Sequence, residues 1–532
     1  MIVRTRKQPR RTTLSSSYDL LIRGGTLIDG TGAPPRPADV AVRAGRVAHV
    51  GDPGGARASE VIDATGLVIT PGLIDLHSHA DFTVLAAPTA EACLYQGVTT
   101  LVTGNCGLSP FPGPAGSPWP DLARFAARVD AGRPAVNLAP LVGHGALRAA
   151  VLGQERRAPT PGELGRMRGL LATAAEQGAF GLSTGLIYAP GSFAAADEIE
   201  ALAAEAAGRG LLYATHMRDE GDHLIEAVEE ALAAARASGV RLQISHLKAM
   251  GPANHGKVAR ALALIDAAAA QGLDVACDVY PYTASSTMLT SRLPGWAMDG
   301  GDDALLARLA DPATRERVLA GLRPAVGRTF LPEGVIIADL PPGPYAGRVG
   351  DSIADIARDG GVEPAEAVLA VLAAHRARVL IVNHAMAERD VEAVLRHPSG
   401  AVASDGWVLR APGDGHPHPR GFGTFARVLG PYARDRGVVS PAEAVRKMTS
   451  LPAARLALAD RGTVAPGQVA DLAVFDPGRT TDRATYDDPW RYAAGARLVL
   501  VAGEPVLRDG APTGVRPGRT LRGPSARRGP EG

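Results

Sequence analysis

A chain of 532 residues exceeds what one compact core holds, so two or three domains are expected. Hydrophobic residues make up 46% and charged residues 21%, an ordinary globular composition, and no apolar run approaches the roughly 20 residues of a membrane span. The formal net charge of +1 gives no electrostatic case for nucleic acid or an acidic membrane, and three cysteines cannot build a disulfide framework, which points to a reducing, cytoplasmic setting.

Residues 1–17 carry Arg4, Arg6, Lys7, Arg10 and Arg11, then Ser15 to Ser17, with no signal-like apolar core behind them. They read as a disordered basic tail. From 18 to 70, stretches such as Tyr18–Ile28 and Ala38–Val50 alternate apolar and polar and break at glycines, the pattern of short antiparallel strands. The texture returns over 461–512, as in GTVAPGQVADLAVFD (462–476) and ARLVLVAGEPVL (496–507). Two strand-rich ends around a different middle predict one small β-sandwich built from both. Residues 513–532, rich in Gly, Pro and Arg, read as a second disordered tail.

The middle, 71–460, alternates strand-like runs with Ala/Leu/Arg-rich helical stretches such as 161–176 and 195–209. This predicts an α/β class of parallel architecture. The length suits a (β/α)8 barrel, whose reactive groups sit at the carboxyl ends of the strands. What each run ends in therefore matters. Leu73–Leu76 ends in His77-Ser78-His79, and on a strand residues i and i+2 point the same way, so both imidazoles leave together. Later runs end at Cys106, His144, Ser183–Tyr188, His216, His246-Leu247-Lys248, Tyr280–Tyr282, His384 and Asp405. Nine runs compete for eight places; those ending at Tyr282 and His384 are the candidates for the surplus one. Over about 286–350 the rhythm breaks, and this stretch reads as an insertion over one barrel mouth, either a lid or a structural excursion.

The strand ends collect His77, His79, Cys106, His216, His246 and Asp405. Imidazole and thiolate are zinc ligands, and a carboxylate can ligate or act as base. That set suits metal-assisted hydrolysis of an amide-like bond, with Asp405 moving the proton from water to the leaving group. Cys93 and Cys277 sit in apolar contexts and read as structural.

Further motifs sharpen this. HSHAD (77–81), the strands before His216 and His246, Ser404-Asp405-Gly406 and GQVAD (467–471) resemble the amidohydrolase superfamily. TGNCGLSP (103–110), GLSTGLIYAPG (181–191), THMRDEGD (215–222), ISHLKAMG (244–251), DVYPYTASST (278–287) and HPRGFGTF (418–425) narrow the resemblance to its N-acyl-D-amino-acid deacylases, the D-aminoacylases. The likeness covers residues 18 to 507. It implies a zinc enzyme that releases a D-amino acid and a carboxylate from a small N-acyl-D-amino acid, with Asp405 as general base and acid.

Many amidohydrolases bridge two metals with a carboxylated lysine on the fourth strand. Here that strand gives Ser183-Thr184-Gly185, and Cys106 would take the lysine's place. The resemblance puts the tighter zinc on Cys106, His216 and His246, with a weaker second position at His77, His79 and Asp405; one or two working metals stays open. It makes Arg420 and Lys248 partners for the substrate's carboxylate, and Tyr188, Tyr282 and Ser285 further lining of the pocket. His144 and His384 read as structural. Asn254-His255 stands where the family is expected to carry an aromatic residue. Two alternatives are a cyclic-amide hydrolase of the dihydroorotase or hydantoinase type, which ordinarily carries the lysine, and a non-catalytic scaffold that kept the barrel.

Overall fold

The computed structural model describes residues 18–526. The basic segment 1–17 and the last six residues lie outside the described residues. Eight strands pair in parallel and in chain order: β1 (Leu73–Asp75), β2 (Val98–Thr103), β3 (Asn137–Gly143), β4 (Gly181–Gly185), β5 (Leu212–His216), β6 (Arg241–Ile244), β7 (Val275–Val279) and β8 (Gly400–Val402). The ring closes beyond β8, where Asp405 N donates to His77 O (2.7 Å) and His79 N donates to Gly406 O (2.8 Å).

The strands alternate in two-residue period, as a filled barrel requires. Ile74, Leu76, Val102, Ala139, Leu141, Phe180, Leu212, Ala214 and Ala401 point inward and fill the floor. Leu73, Leu101, Leu138, Leu182, Tyr213, Leu242, Cys277 and Val402 point outward into the helix layer, where Met167, Leu171, Leu202, Val228 and Ile265 meet them.

The run ending at His384 is the surplus one. Leu380–His384 is the middle strand of a separate antiparallel sheet, between Ala284–Met288 and Val335–Asp339. It is apolar because it lines another core, made with Ile337 of the neighbouring strand and Leu305, Leu319, Val368 and Leu372 from the surrounding helices. The insertion therefore runs from about 284 to 384, not 286 to 350. Its second half mimics the barrel's helix–strand rhythm, which is why the pattern alone ended it too early.

The sandwich draws on both ends of the chain. One sheet holds Tyr18–Arg23, Val40–Arg43, Arg46–Val50 and Ala58–Asp63; in the other, Val68–Pro71 pairs antiparallel with Leu472–Phe475. Leu20, Ile22, Val40, Ile69, Leu472, Val474 and Leu498 share its core.

Residues 513–526 are not the tail that composition predicts. They lie across the amino-terminal end of the barrel. Leu138 N donates to Arg519 O (3.0 Å), Leu521 N to Leu138 O (2.7 Å) and Gly523 N to Gly178 O (2.9 Å). Leu521 plugs the barrel floor at 6% exposure. One apolar anchor leaves no periodicity to detect. Gly518 permits the approach: a Cβ there would stand 2.2 Å from Val136 O. Among the described residues no helix is long and apolar enough to cross a membrane.

Candidate metal centre

The six donors expected from the strand ends meet at the carboxyl rim. His77, His79, Cys106 and Asp405 form one group, and Cys106, His216 and His246 a second; within each, the ligand atoms lie within 4.8 Å of one another, and all are buried. Cys106 belongs to both. Its Sγ stands 3.2 Å from His77 Nε2, 3.5 Å from His216 Nδ1 and 3.5 Å from His246 Nε2. Asp405 Oδ1 lies 3.1 Å from His79 Nε2 and 3.3 Å from His77 Nε2.

Backbone conformation aims several of these groups. Cys106, His246 and Asp405 have φ of +54°, +34° and +50°, the left-handed region that side-chain-bearing residues rarely enter. Each turns its chain sharply just past a strand, toward the barrel axis. Beside Cys106 the backbones nearly touch: a Cβ on Gly185 would lie 2.0 Å from Cys106 O. The end of β4 thus has no room for a side chain at Gly185, and the sulfur from β2 occupies that quarter.

The charge balance fits a divalent cation. Burial opposes a thiolate, yet the charge of His77, the hydrogen bond and charge of His216 and the hydrogen bond of His246 hold the Cys106 thiol well below its usual range. Burial likewise opposes ionised Asp405, but Arg420 and His77 keep it well below the ordinary carboxylate range. Burial would discharge His79, whereas Asp405 and Cys106 raise it to about 9. Nitrogen and sulfur donors that gather positive charge in a buried space are a zinc environment.

Two carboxylates orient the imidazoles from behind. Glu220 Oε1 is 3.0 Å from His246 Nδ1, its Oε2 is 3.5 Å from His216 Nε2, and Lys248 Nζ donates to it at 2.5 Å. Asp278 accepts from His246 N (2.8 Å) and Gln243 Nε2 (2.8 Å) and lies 3.5 Å from His77 Nδ1. Neither acid stood out as a site residue from its sequence position, although both lie inside the motifs quoted above.

Above the donors opens a cavity of 330 Å³, lined by barrel loops and by insertion residues including Met288, Arg292 and Leu293. Tyr188, Lys248, Ser285 and Arg420 line it as expected. Tyr188 stacks edge-on to His216 (5.0 Å between centroids) and bonds Thr287 Oγ1 (2.9 Å). Tyr282 does not line it. Its N–H closes a tight turn onto Tyr280 O (2.9 Å), which sends its ring behind the wall against His418 and Tyr486. Tyr280 takes the cavity-facing place. His144 pairs with Glu198 (2.7 Å) and His384 packs on Tyr486, both outside the lining. Asn254 and His255 also stay outside it, tying the loop after β6 to Asp222 and Ala385.

The chain matches the profile described as Amidohydrolase family over residues 60–507. It belongs to the amidohydrolase family. This amidohydrolase is 40% identical over 523 residues to N-acyl-D-glutamate deacylase of Alcaligenes xylosoxydans xylosoxydans, covering 96% of this chain and 97% of the relative. It is 41% identical to D-aminoacylase of the same organism, covering 95% and 98%. Among solved structures, N-acyl-D-glutamate deacylase of Bordetella bronchiseptica, complexed with zinc and a phosphonate mimic of the tetrahedral intermediate, superposes with a TM-score of 0.82 at 38% identity, covering 95% of this chain and 100% of that one.

Proposed function

We infer that this amidohydrolase is a zinc-dependent deacylase of N-acyl-D-amino acids, releasing a D-amino acid and a carboxylate. The observation that carries the reading is the sulfur shared between two donor groups beside a β4 that carries no lysine and ends in Gly185, in a chain matched over 95–96% of its length by D-amino-acid deacylases. Cys106, His216 and His246 hold the tighter metal; His77, His79 and Asp405 form the weaker position. Zinc supplies a Lewis acid for the amide carbonyl and acidifies water.

The protein's own groups do the rest. Asp405, kept ionised, accepts the proton of the attacking water and returns it to the leaving nitrogen. Tyr188, edge-on to His216, lines the cavity in which the scissile carbonyl would lie. The cations of the cavity wall orient the substrate's carboxylate. Arg420 is shared with Asp405 and Lys248 with Glu220, whereas Arg292 has no carboxylate within ion-pair distance among the described residues.

The cyclic-amide alternative lacks its bridging lysine, and no side chain fits at Gly185. The deciding experiment assays N-acetyl-D- and N-acetyl-L-amino acids (Met, Leu, Phe, Glu, Asp) alongside a hydantoin, with zinc counted per chain. Turnover confined to the D series with bound zinc is expected. Equal D and L rates remove the stereochemical assignment, preference for the hydantoin removes the linear-amide one, and a chain without zinc or turnover is the scaffold.

A further inference from the structure

The cavity has two ends of different chemistry. Lys248 follows β6; Arg292 lies within electrostatic range of Tyr188, Glu220 and Asp219, after β4 and β5. Arg420 reaches back over the Tyr280 ring (5.0 Å) to Ser286 O (3.2 Å), beyond β7. Lys248 and Arg292 therefore stand on the β4–β7 side, and Arg420 spans the cavity floor between them and Asp405, with which it pairs just past β8.

The opposite rim is apolar and uncovered. Phe82, Leu108 and Trp407 are 52%, 40% and 38% exposed, half of the six large apolar side chains left exposed among the described residues. Solvent-facing apolar groups grouped at one place mark a binding surface. Each follows a donor on its own loop: Phe82 after His79, Leu108 after Cys106, Trp407 after Asp405. All three line the cavity. The loops of Phe82 and Trp407 are tied together, Val408 N donating to Thr83 Oγ1 at 3.0 Å. Past Trp407 a second cavity of 660 Å³ opens, sharing Met288, Leu380 and Trp407 with the first and adding Leu340, Pro341 and Pro342 together with the charged Asp339, Arg378 and Asp414.

An amide is planar and trans, so its acyl chain and its nitrogen substituent leave on opposite sides. With the carbonyl at the metal centre and the amino acid's carboxylate toward Lys248 and Arg292, the acyl chain points at the β1–β2–β8 rim. We propose that Phe82, Leu108 and Trp407 form an acyl-chain site, and that the enzyme prefers N-acyl-D-amino acids with a medium-length unbranched acyl group over the N-acetyl compounds. This rests on the deacylase reading above.

The test compares N-acetyl and N-hexanoyl derivatives of one D-amino acid. A methylene that becomes fully buried is worth about fourfold. Half burial of the four added methylenes raises kcat/KM at least about tenfold in the wild type. Phe82→Ser and Trp407→Ser, both at exposed positions that the core does not need, bring the hexanoyl-to-acetyl ratio to near one. Acetyl turnover reports the deacylase itself, so a flat wild-type series with acetyl turnover overturns only the acyl site. A steep series unchanged in both variants also overturns it. So does a variant effect that follows the amino-acid side chain (N-acetyl-D-Leu against N-acetyl-D-Ala) instead of the acyl group. A binding arm needs no turnover: acetate and hexanoate are titrated against tryptophan fluorescence. Tighter hexanoate binding, with its signal lost in Trp407→Phe, supports the site; equal affinities overturn it.

Discussion

Arg420 Nη1 lies 2.7 Å from Asp405 Oδ2, both side chains at 8% exposure, so the arginine expected to take the substrate's carboxylate already neutralises the expected base. The approach is off the N–H direction, an ion pair more than a directed hydrogen bond. Arg420→Ala should therefore act on binding and on chemistry together, lowering kcat/KM at least about thirtyfold, the equivalent of about 2 kcal/mol for a truncated buried charge pair. Steady-state kinetics on the best N-acetyl-D-amino acid check it. An Arg420→Ala enzyme with wild-type kcat/KM would remove Arg420 from the site.

Glu220 is the orientation point for His216 and His246. Glu220→Gln keeps the size and loses the charge that faces both imidazoles and Lys248. Losing such a partner typically weakens metal affinity by about 10- to 100-fold. Zinc affinity measured by competition with a chromogenic chelator should fall by that factor, and excess zinc should restore turnover. Unchanged affinity would make Glu220 only a packing group.

Cys106 is the donor common to both groups. Cys106→Ala should lower zinc content and activity in step, read by metal analysis and assay on the same sample. Retained zinc would reject the sulfur as a ligand. The glycine contacts that fix the Cys106 loop need no metal, so chelator-treated wild type should keep its circular dichroism and regain activity with zinc.

Asp405 separates ligation from proton transfer. Asp405→Ala leaves Cys106, His216 and His246 in place and should keep the tighter zinc while losing most turnover, about 100-fold or more for a proton-transfer group. Wild-type turnover in that variant would remove it as the base.

Leu521 should matter far more than its composition-poor surroundings suggest. Leu521→Ala empties a space in the barrel floor and should cost about 2–3 kcal/mol. A lowered melting temperature with unaltered kinetics is expected, since the floor lies at the far end from the donors.

The candidate donors can be picked out from sequence because strand ends are short-range features: an apolar run of period two, then His, Cys or Asp. The sandwich was readable for the same reason, through its glycine-broken alternation. What escaped were long-range facts. Leu380–His384 carries a barrel-like apolar run, and only its antiparallel partners at Ser285 and Ile337 distinguish it. Tyr280 and Tyr282 are equal candidates until a single turn hydrogen bond separates them. Glu220 and Asp278 are ordinary acids in sequence, and become orienting groups only once β5, β6 and β7 stand side by side.

The left-handed backbone at Cys106, His246 and Asp405 has a bearing on how the enzyme can be engineered. Each such residue holds on the order of 1–3 kcal/mol of conformational strain, which glycine would release. Selection for heat resistance alone would then favour discarding these donors, giving hardier but inert proteins. Screens for a robust catalyst have to score turnover in every round.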